Sequence, residues 1–357
     1  ALMANSIGVN NTALGYRAMY SNIYSNNTAI GYQSGINNIN GSANVFLGYQ
    51  SGYNEAGSNK LYISNSNTAS PLIYGEFDNN LLTINGLTTI DSNLIVNGRF
   101  WQTGIGNSVL IGIDAGLNDD LTVNANVFIG YQSGYNTTSG YNNIAIGKNA
   151  MYNSNTNNVI AIGENAALSA TGAGASIAIG PNSLKVAGTA GGIHNTAIGS
   201  SALVSNSGGS FNVALGMTAG YNVTYGSYNI MMGNESLHAI TTGQKNIAIG
   251  HQAGFSTTGN ENIFIGHTAG YNETGSKKLY IDNSNTTTPL IYGDFNDDQI
   301  TINGDFTVTG QYNISSLNTA PTSSTATGTL GEIRITSDYI YICTATNTWV
   351  RTQLTSF

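Results

Sequence analysis

The chain of 357 residues carries ten Lys and Arg against eighteen Asp and Glu, a net charge of −8, and only 8% of its residues are charged, where ordinary globular domains have about 25%. With so few cations there is no basic stripe to neutralise phosphates or grip an anionic membrane surface, so neither nucleic acid nor a charged lipid surface is expected as a partner. No apolar run approaches the ~18 residues of a membrane span, and the lone Cys343 rules out an intrachain disulfide framework and a cysteine-based zinc site.

Forty-five Gly, only four Pro, and Asn, Ser and Thr in nearly every window make the chain polar through neutral hydrogen-bonding groups, which suit stacked β-turns. Disordered chains are rich in charge and proline instead, and 40% apolar residues are enough to bury a core.

The first element is a repeat. The pattern Asn-x-x-(Ile/Leu)-Gly-x-x-(Ala/Ser) places an anchor glycine at 15, 31 and 48, spaced by 16 and 17 residues. It resumes at 112, 130, 147, 163, 180, 199, 216, 233, 250 and 266. The residue before the glycine is always Ile, Leu or Met, and an Asn stands four residues before it except at Ser108, Val159 and Ser176. One such unit holds a strand or two with turns and cannot enclose a core alone. It must stack on its neighbours at ~4.8 Å per coil, which makes ten coils a rod of about 48 Å. Helical repeats need roughly 33 residues or more. The segment before each glycine, as in Val127-Phe128-Ile129 or Ile263-Phe264-Ile265, is β-branched and aromatic, so it reads as a strand.

That strand is apolar on both faces. Ile263 and Ile265 point one way and Phe264 the other. A coil has only one inside, so the second face must press against something else, and the rest of the coil is polar turn. Three chains around one axis is the expected arrangement.

The coils occupy 1–51 and 108–269. Residues 52–86 and 270–304 align without gaps and are identical at 24 of 35 positions, so each block of coils ends in the same terminator. Strands are expected near Lys60–Ile63 and Leu72–Phe77, followed by a Thr-Ile-Asn-Gly hairpin or turn. The segments 52–107 and 270–317 are thus terminator units. Within the first, 87–107 reads as a strand-like connector whose Phe100 and Trp101 pack between modules. Residues 318–357 form a small C-terminal β tip unit: a Thr/Ser-rich linker at 318–329, then strands at Gly331–Ile335, Tyr339–Thr344 and Thr348–Leu354. Ala1-Leu2-Met3 matches Ala150-Met151-Tyr152, so the chain starts in mid-coil and is expected to continue an upstream fibre or anchor segment.

The Asn-x-Ala-Ile-Gly-x-x-Ala unit resembles the head repeat of trimeric autotransporter adhesins and similar repeats of phage tail fibres, over about two thirds of the chain. The resemblance implies a left-handed parallel β-roll that trimerises. The stretch Ser-Asp-Tyr-Ile-Tyr-Ile-Cys-Thr-Ala-Thr-Asn-Thr-Trp-Val-Arg at 337–351 resembles the C-terminal β-unit of phage tail-fibre proteins. The expected fold class is therefore all-β, a repeat β-solenoid of ~17-residue coils in a homotrimer. The expected function is a virion tail fibre that attaches to a glycan or protein receptor on a host surface. The alternative is a bacterial surface adhesin or extracellular filament subunit.

No enzyme activity, cofactor, metal site or catalytic residue is expected, and no receptor-contacting residue is assigned. His251 and His267 follow successive anchor glycines and would stack, but their column also holds Tyr16, Tyr32, Tyr49, Tyr131, Lys148 and Glu164, the mark of a solvent-facing position. Asp294, Asn296, Asp298 and Asp305 take calcium-loop spacing, yet Gln299 stands where the sharp turn needs glycine, and a polar β-turn is the better reading. Twenty-one Tyr, many beside Asn as in Gly220-Tyr221-Asn222, suit glycan recognition and turn ladders equally.

Overall fold

In the computed structural model of the chain the described residues are 1–91, 93–94, 96, 106–120, 122–172, 174–186 and 192–356, and all regular structure among them is β. The chain divides into two units, residues 1–100 and 101–357. Together they wind about 15 solenoid turns of about 17 residues.

In the first unit, β1 (Thr12–Leu14), β2 (Thr28–Ile30), β3 (Val45–Leu47) and β4 (Lys60–Ile63) pair in parallel. The register is one repeat: Ala13 lies beside Ala29, Ala29 beside Phe46, and Phe46 beside Tyr62. Then β5 (Ile73–Glu76) and β6 (Leu81–Ile84) fold back antiparallel onto β4.

The second unit repeats this plan at greater length. Ten anchor strands stack in parallel: β7 (Val109–Ile111), β8 (Val127–Ile129), β9 (Ile144–Ile146), β10 (Ile160–Ile162), β11 (Ile177–Ile179), β12 (Thr196–Ile198), β13 (Val213–Leu215), β14 (Ile230–Met232), β15 (Ile247–Ile249) and β16 (Ile263–Ile265). The terminator follows as β17 (Lys278–Ile281), β18 (Ile291–Asp294) and β19 (Gln299–Ile302). Thirteen of these three-residue strands sit where the repeat put them. Of the two expectations for the Thr-Ile-Asn-Gly segment, the hairpin is the one that forms: Thr83-Ile84 and Thr301-Ile302 belong to a third strand, because the two preceding strands leave an open edge for it to pair with.

The last sheet is antiparallel: β20 (Ile333–Ile335), β21 (Tyr339–Ala345) and β22 (Thr348–Gln353). Tyr341, Cys343 and Trp349 are its core, with Cys343 fully buried as a small apolar strand residue. The expected linker at 318–329 is part of this unit: Ala320 and Ala326 pack on the core, Trp349 N donates to Ser324 O at 2.8 Å, and Trp349 Nε1 donates to Ala326 O at 3.0 Å. Among the described residues of 87–107 no strand forms, since the two sheets end at β6 and begin at β7 and leave no partner there. Phe100 and Trp101 lie outside the described residues.

Each turn is held in three ways. The anchor glycine sits at φ +126 at Gly130, and a Cβ there would lie 2.8 Å from the carbonyl of Gly147 in the next coil, so only glycine fits. Where an Asn stands four residues before it, from Asn27 on, it is buried and laddered: Asn229 Oδ1 accepts from Asn246 N at 2.9 Å, and Asn229 Nδ2 donates to Gly243 O at 3.0 Å. These bonds satisfy backbone groups at the coil corner that the strands leave over. Finally, the middle residue of each strand points inward. Ala145, Ala161, Ala178, Ala197, Met231 and Phe264 are all fully buried.

In several coils the core is matched in size across the two walls. Phe46, Phe128 and Phe264 face glycines at Gly52, Gly134 and Gly270, six residues on, whereas Ala145, Ala178 and Ala197 face Met151, Leu184 and Leu203. The facing residue turns the corner in the left-handed region whatever its type, at φ +63 for Gly134 and +54 for Met151. In these coils a large side chain on one wall goes with a small one on the other, whereas Met231 and Leu237 fill both walls of their coil and Ala161 and Ala167 leave both small.

Candidate interaction surface

The residues that flank each buried strand centre point outward. In the second unit they form two adjoining columns: Val109, Val127, Ile144, Ile160, Ile177, Thr196, Val213, Ile230, Ile247 and Ile263, and Ile111, Ile129, Ile146, Ile162, Ile179, Ile198, Leu215, Met232, Ile249 and Ile265. All are half-buried or exposed. Ile198, Ile249 and Ile265 retain 38%, 40% and 37% of their surface. Parallel register aligns them coil upon coil, so the stripe runs the length of the ten coils and carries one residue with a polar side chain, Thr196. Contiguous apolar surface of this extent marks an interaction site on soluble proteins. The first unit has a shorter version in Thr12, Leu14, Thr28, Ile30, Val45 and Leu47.

The other columns are laddered rather than apolar. Tyr221, His238, Phe255 and Tyr271 stack face to face at 5.2, 4.8 and 4.8 Å with interplanar angles of 7°, 8° and 3°. His194, Phe211 and Tyr228 form a second stack at 5.1 Å per step, and Tyr16, Tyr32 and Tyr49 a third. Rings stacked this way cover one another's faces and show solvent their edges, so within the columns they act as ladder residues. His251 and His267 stack likewise at 5.1 Å, both exposed, and their column also carries the ion pair Lys148–Glu164 at 3.1 Å. Among the described residues no three His, Cys, Asp or Glu side chains converge as metal ligands.

No protein-family model, curated protein or solved structure matches this chain.

The caps gather the ionisable groups. Lys60 pairs with Glu76 at 2.7 Å and Tyr74 donates to the same carboxylate oxygen at 2.6 Å. Hydrogen bonds from Lys60, then Tyr74 and Asn79, hold Glu76 down to about 2. In the second cap Lys278 pairs with Asp294, and Asn296 N donates to the same carboxylate at 3.0 Å. Asp294 thus closes the β18–β19 hairpin, whose turn is residues 295–298. Inside each cap an aromatic closes the core: Tyr62 and Tyr74, and Tyr280 and Tyr292, meet edge to face at 5.2 and 5.3 Å. Glu55 and Glu273 accept from Tyr62 and Tyr280 at 2.7 Å, and burial, then that bond, raises both phenols well above the usual range.

Sequence reasoning found the doubly apolar strand but did not say which face is inside, and it missed the cap clefts altogether. The first was legible in a spacing: each Phe at a strand centre is followed six residues later by Gly, as in Phe128-x5-Gly134.

Proposed function

We propose that the protein is a structural and adhesive element: a homotrimeric fibre segment of a phage or other viral tail that attaches the particle to a glycan or protein on a host surface. One observation carries the reading: the in-register apolar stripe along ten consecutive coils, an outer face that water does not stabilise and that copies of the same chain would cover at matching height. Threefold packing puts one stripe from each chain on a common axis and leaves the polar ladders outside. Recognition without turnover follows, since a rod of stacked coils presents fixed side chains on a stiff support rather than a pocket built around a nucleophile and a base.

The C-terminal three-stranded unit supports the viral assignment through its resemblance to tail-fibre tips. A second reading, a bacterial surface adhesin or extracellular filament subunit, draws on the coil repeat itself, which resembles adhesin heads. Mass in solution tests the fibre: a trimer of the 37.2 kDa chain is expected, and a stable monomer overturns it. The genes beside the coding sequence separate the two settings, with baseplate neighbours favouring the virus and a surface-sorting domain the cell. Incubation with host polysaccharide should release no reducing ends.

A further inference from the structure

We propose that each solenoid cap carries a binding cleft for a neutral saccharide, on the face of Tyr271 in the second unit and of Tyr53 in the first. This names a place and a ligand class for the surface attachment proposed above, on which its biological role rests. The binding itself does not depend on oligomeric state.

Tyr271 is the last ring of the stack that begins at Tyr221. Its inner face lies against Phe255 at 4.8 Å, and no ring among the described residues covers the other. At that point the coil pattern gives way to the terminator, and a cleft of about 260 Å³ opens, lined by Tyr271, Asn272, Glu273, Tyr280, Asn285 and Thr286 among others. The duplicated sequence builds the same cleft in the first unit from Tyr53, Asn54, Glu55, Tyr62, Asn67 and Thr68, at about 130 Å³. Two clefts at equivalent positions, each keeping Tyr, Asn, Glu, Tyr, Asn and Thr, show that the terminator and not a local accident makes them.

The chemistry of the walls selects the ligand. A phenol face with negative quadrupole meets the C–H face of a pyranose, which is weakly positive. Around it stand amides that both donate and accept, paired as Asn272 Nδ2 to Asn285 Oδ1 at 3.3 Å and Asn54 Nδ2 to Asn67 Oδ1 at 3.2 Å. Glu273 accepts from Gly275 N at 2.6 Å and from Tyr280 at 2.7 Å, so it is fixed in place and keeps lone pairs for sugar hydroxyls. The same carboxylate repels an acidic sugar, and no basic side chain lines either cleft to offset it. The second cleft, with Thr286-Thr287 where the first has Thr68-Ala69, has more hydroxyls and twice the volume, so it is the stronger site.

Saturation-transfer NMR on the full chain, with methyl glycosides of glucose, galactose and mannose as probes and N-acetylneuraminic acid as the acidic contrast, tests the assignment. At least one neutral glycoside should bind, and Tyr271→Ala should weaken it by at least about tenfold, the loss expected for a central aromatic contact. Tyr225→Ala, at an exposed tyrosine outside both clefts, should leave binding unchanged. Because Tyr271→Ala also removes a stacking partner of Phe255, Asn285→Ala, at an exposed residue, supplies the variant that keeps the fold and should likewise weaken binding. Absence of transfer from every neutral probe, transfer unaffected by either cleft variant, or equal binding of the acidic sugar overturns the proposal. A monomeric mass with binding intact would instead count against the fibre alone.

Discussion

Phe128 and Gly134 are the two halves of one packing decision: a Cβ on Gly134 would lie 2.5 Å from ring carbons of Phe128, so the ring occupies the space that a corner side chain fills elsewhere. One coil later the pair is Ala145 and Met151, with the bulk on the opposite wall.

The pair should therefore be exchangeable. Phe128→Ala alone should cost about 3–5 kcal/mol through the cavity it leaves. Gly134→Met alone should cost about 1–3 kcal/mol by overpacking. The double substitution recreates the Ala145 and Met151 arrangement, so it should be about 1–3 kcal/mol more stable than the sum of the two predicts, as read from a double-mutant cycle of unfolding. Strict additivity would show that the two walls do not share the space.

The asparagine ladder predicts a cost out of proportion to the size of the change. Asn229→Ala removes the acceptor of Asn246 N and the donor to Gly243 O, both in the buried interior. Two stranded groups at about 1–3 kcal/mol each give an expected loss of about 2–5 kcal/mol. Hydrogen exchange should show Asn246 N opening first.

The apolar stripe separates a monomer from an assembly. Ile146 is half-exposed in the single chain, so Ile146→Asp in a monomer should change stability little. In a trimer joined along the stripe the carboxylate would be desolvated without a partner, at several kcal/mol per chain. Sedimentation of the variant should then show dissociation, accompanied by a lower melting temperature. An unchanged mass and melting temperature would reject the stripe as the interface.

The first cap should weaken in acid. Glu76 is held down to about 2 by Lys60, Tyr74 and Asn79, below its ordinary value, so its contribution to stability is complete above the ordinary carboxylate range. That contribution declines as pH falls from about 5 and is lost below about 2. Exchange rates at β5 should rise over this range, and Glu76→Gln should flatten the response. A wild-type profile as flat as that of the variant would remove Glu76 as the cause.

Much of the molecule was legible in its sequence. The anchor glycines located thirteen strands, because a glycine that must lie against the next coil's carbonyl cannot be replaced and so repeats without exception. The duplicated terminators and the three C-terminal strands were readable for a similar reason: alternation and identity are one-dimensional signals. Alternation does not tell which face of Ile263-Phe264-Ile265 is inside, because apolar residues occupy both and a period of two cannot rank them; the one trace of it is the Gly six residues after Phe264. Closure of the coil decides it. The corner residues in left-handed conformation bring the wall at Gly270 against Phe264, and only the strand centre can meet that wall. The third cap strand and the clefts beside Tyr53 and Tyr271 also depend on closure. They arise where antiparallel strands replace a coil, which at Tyr271 leaves the last ring of a column without a successor, a juxtaposition of residues up to 17 positions apart, from Gly270 to Thr287, that no local pattern encodes.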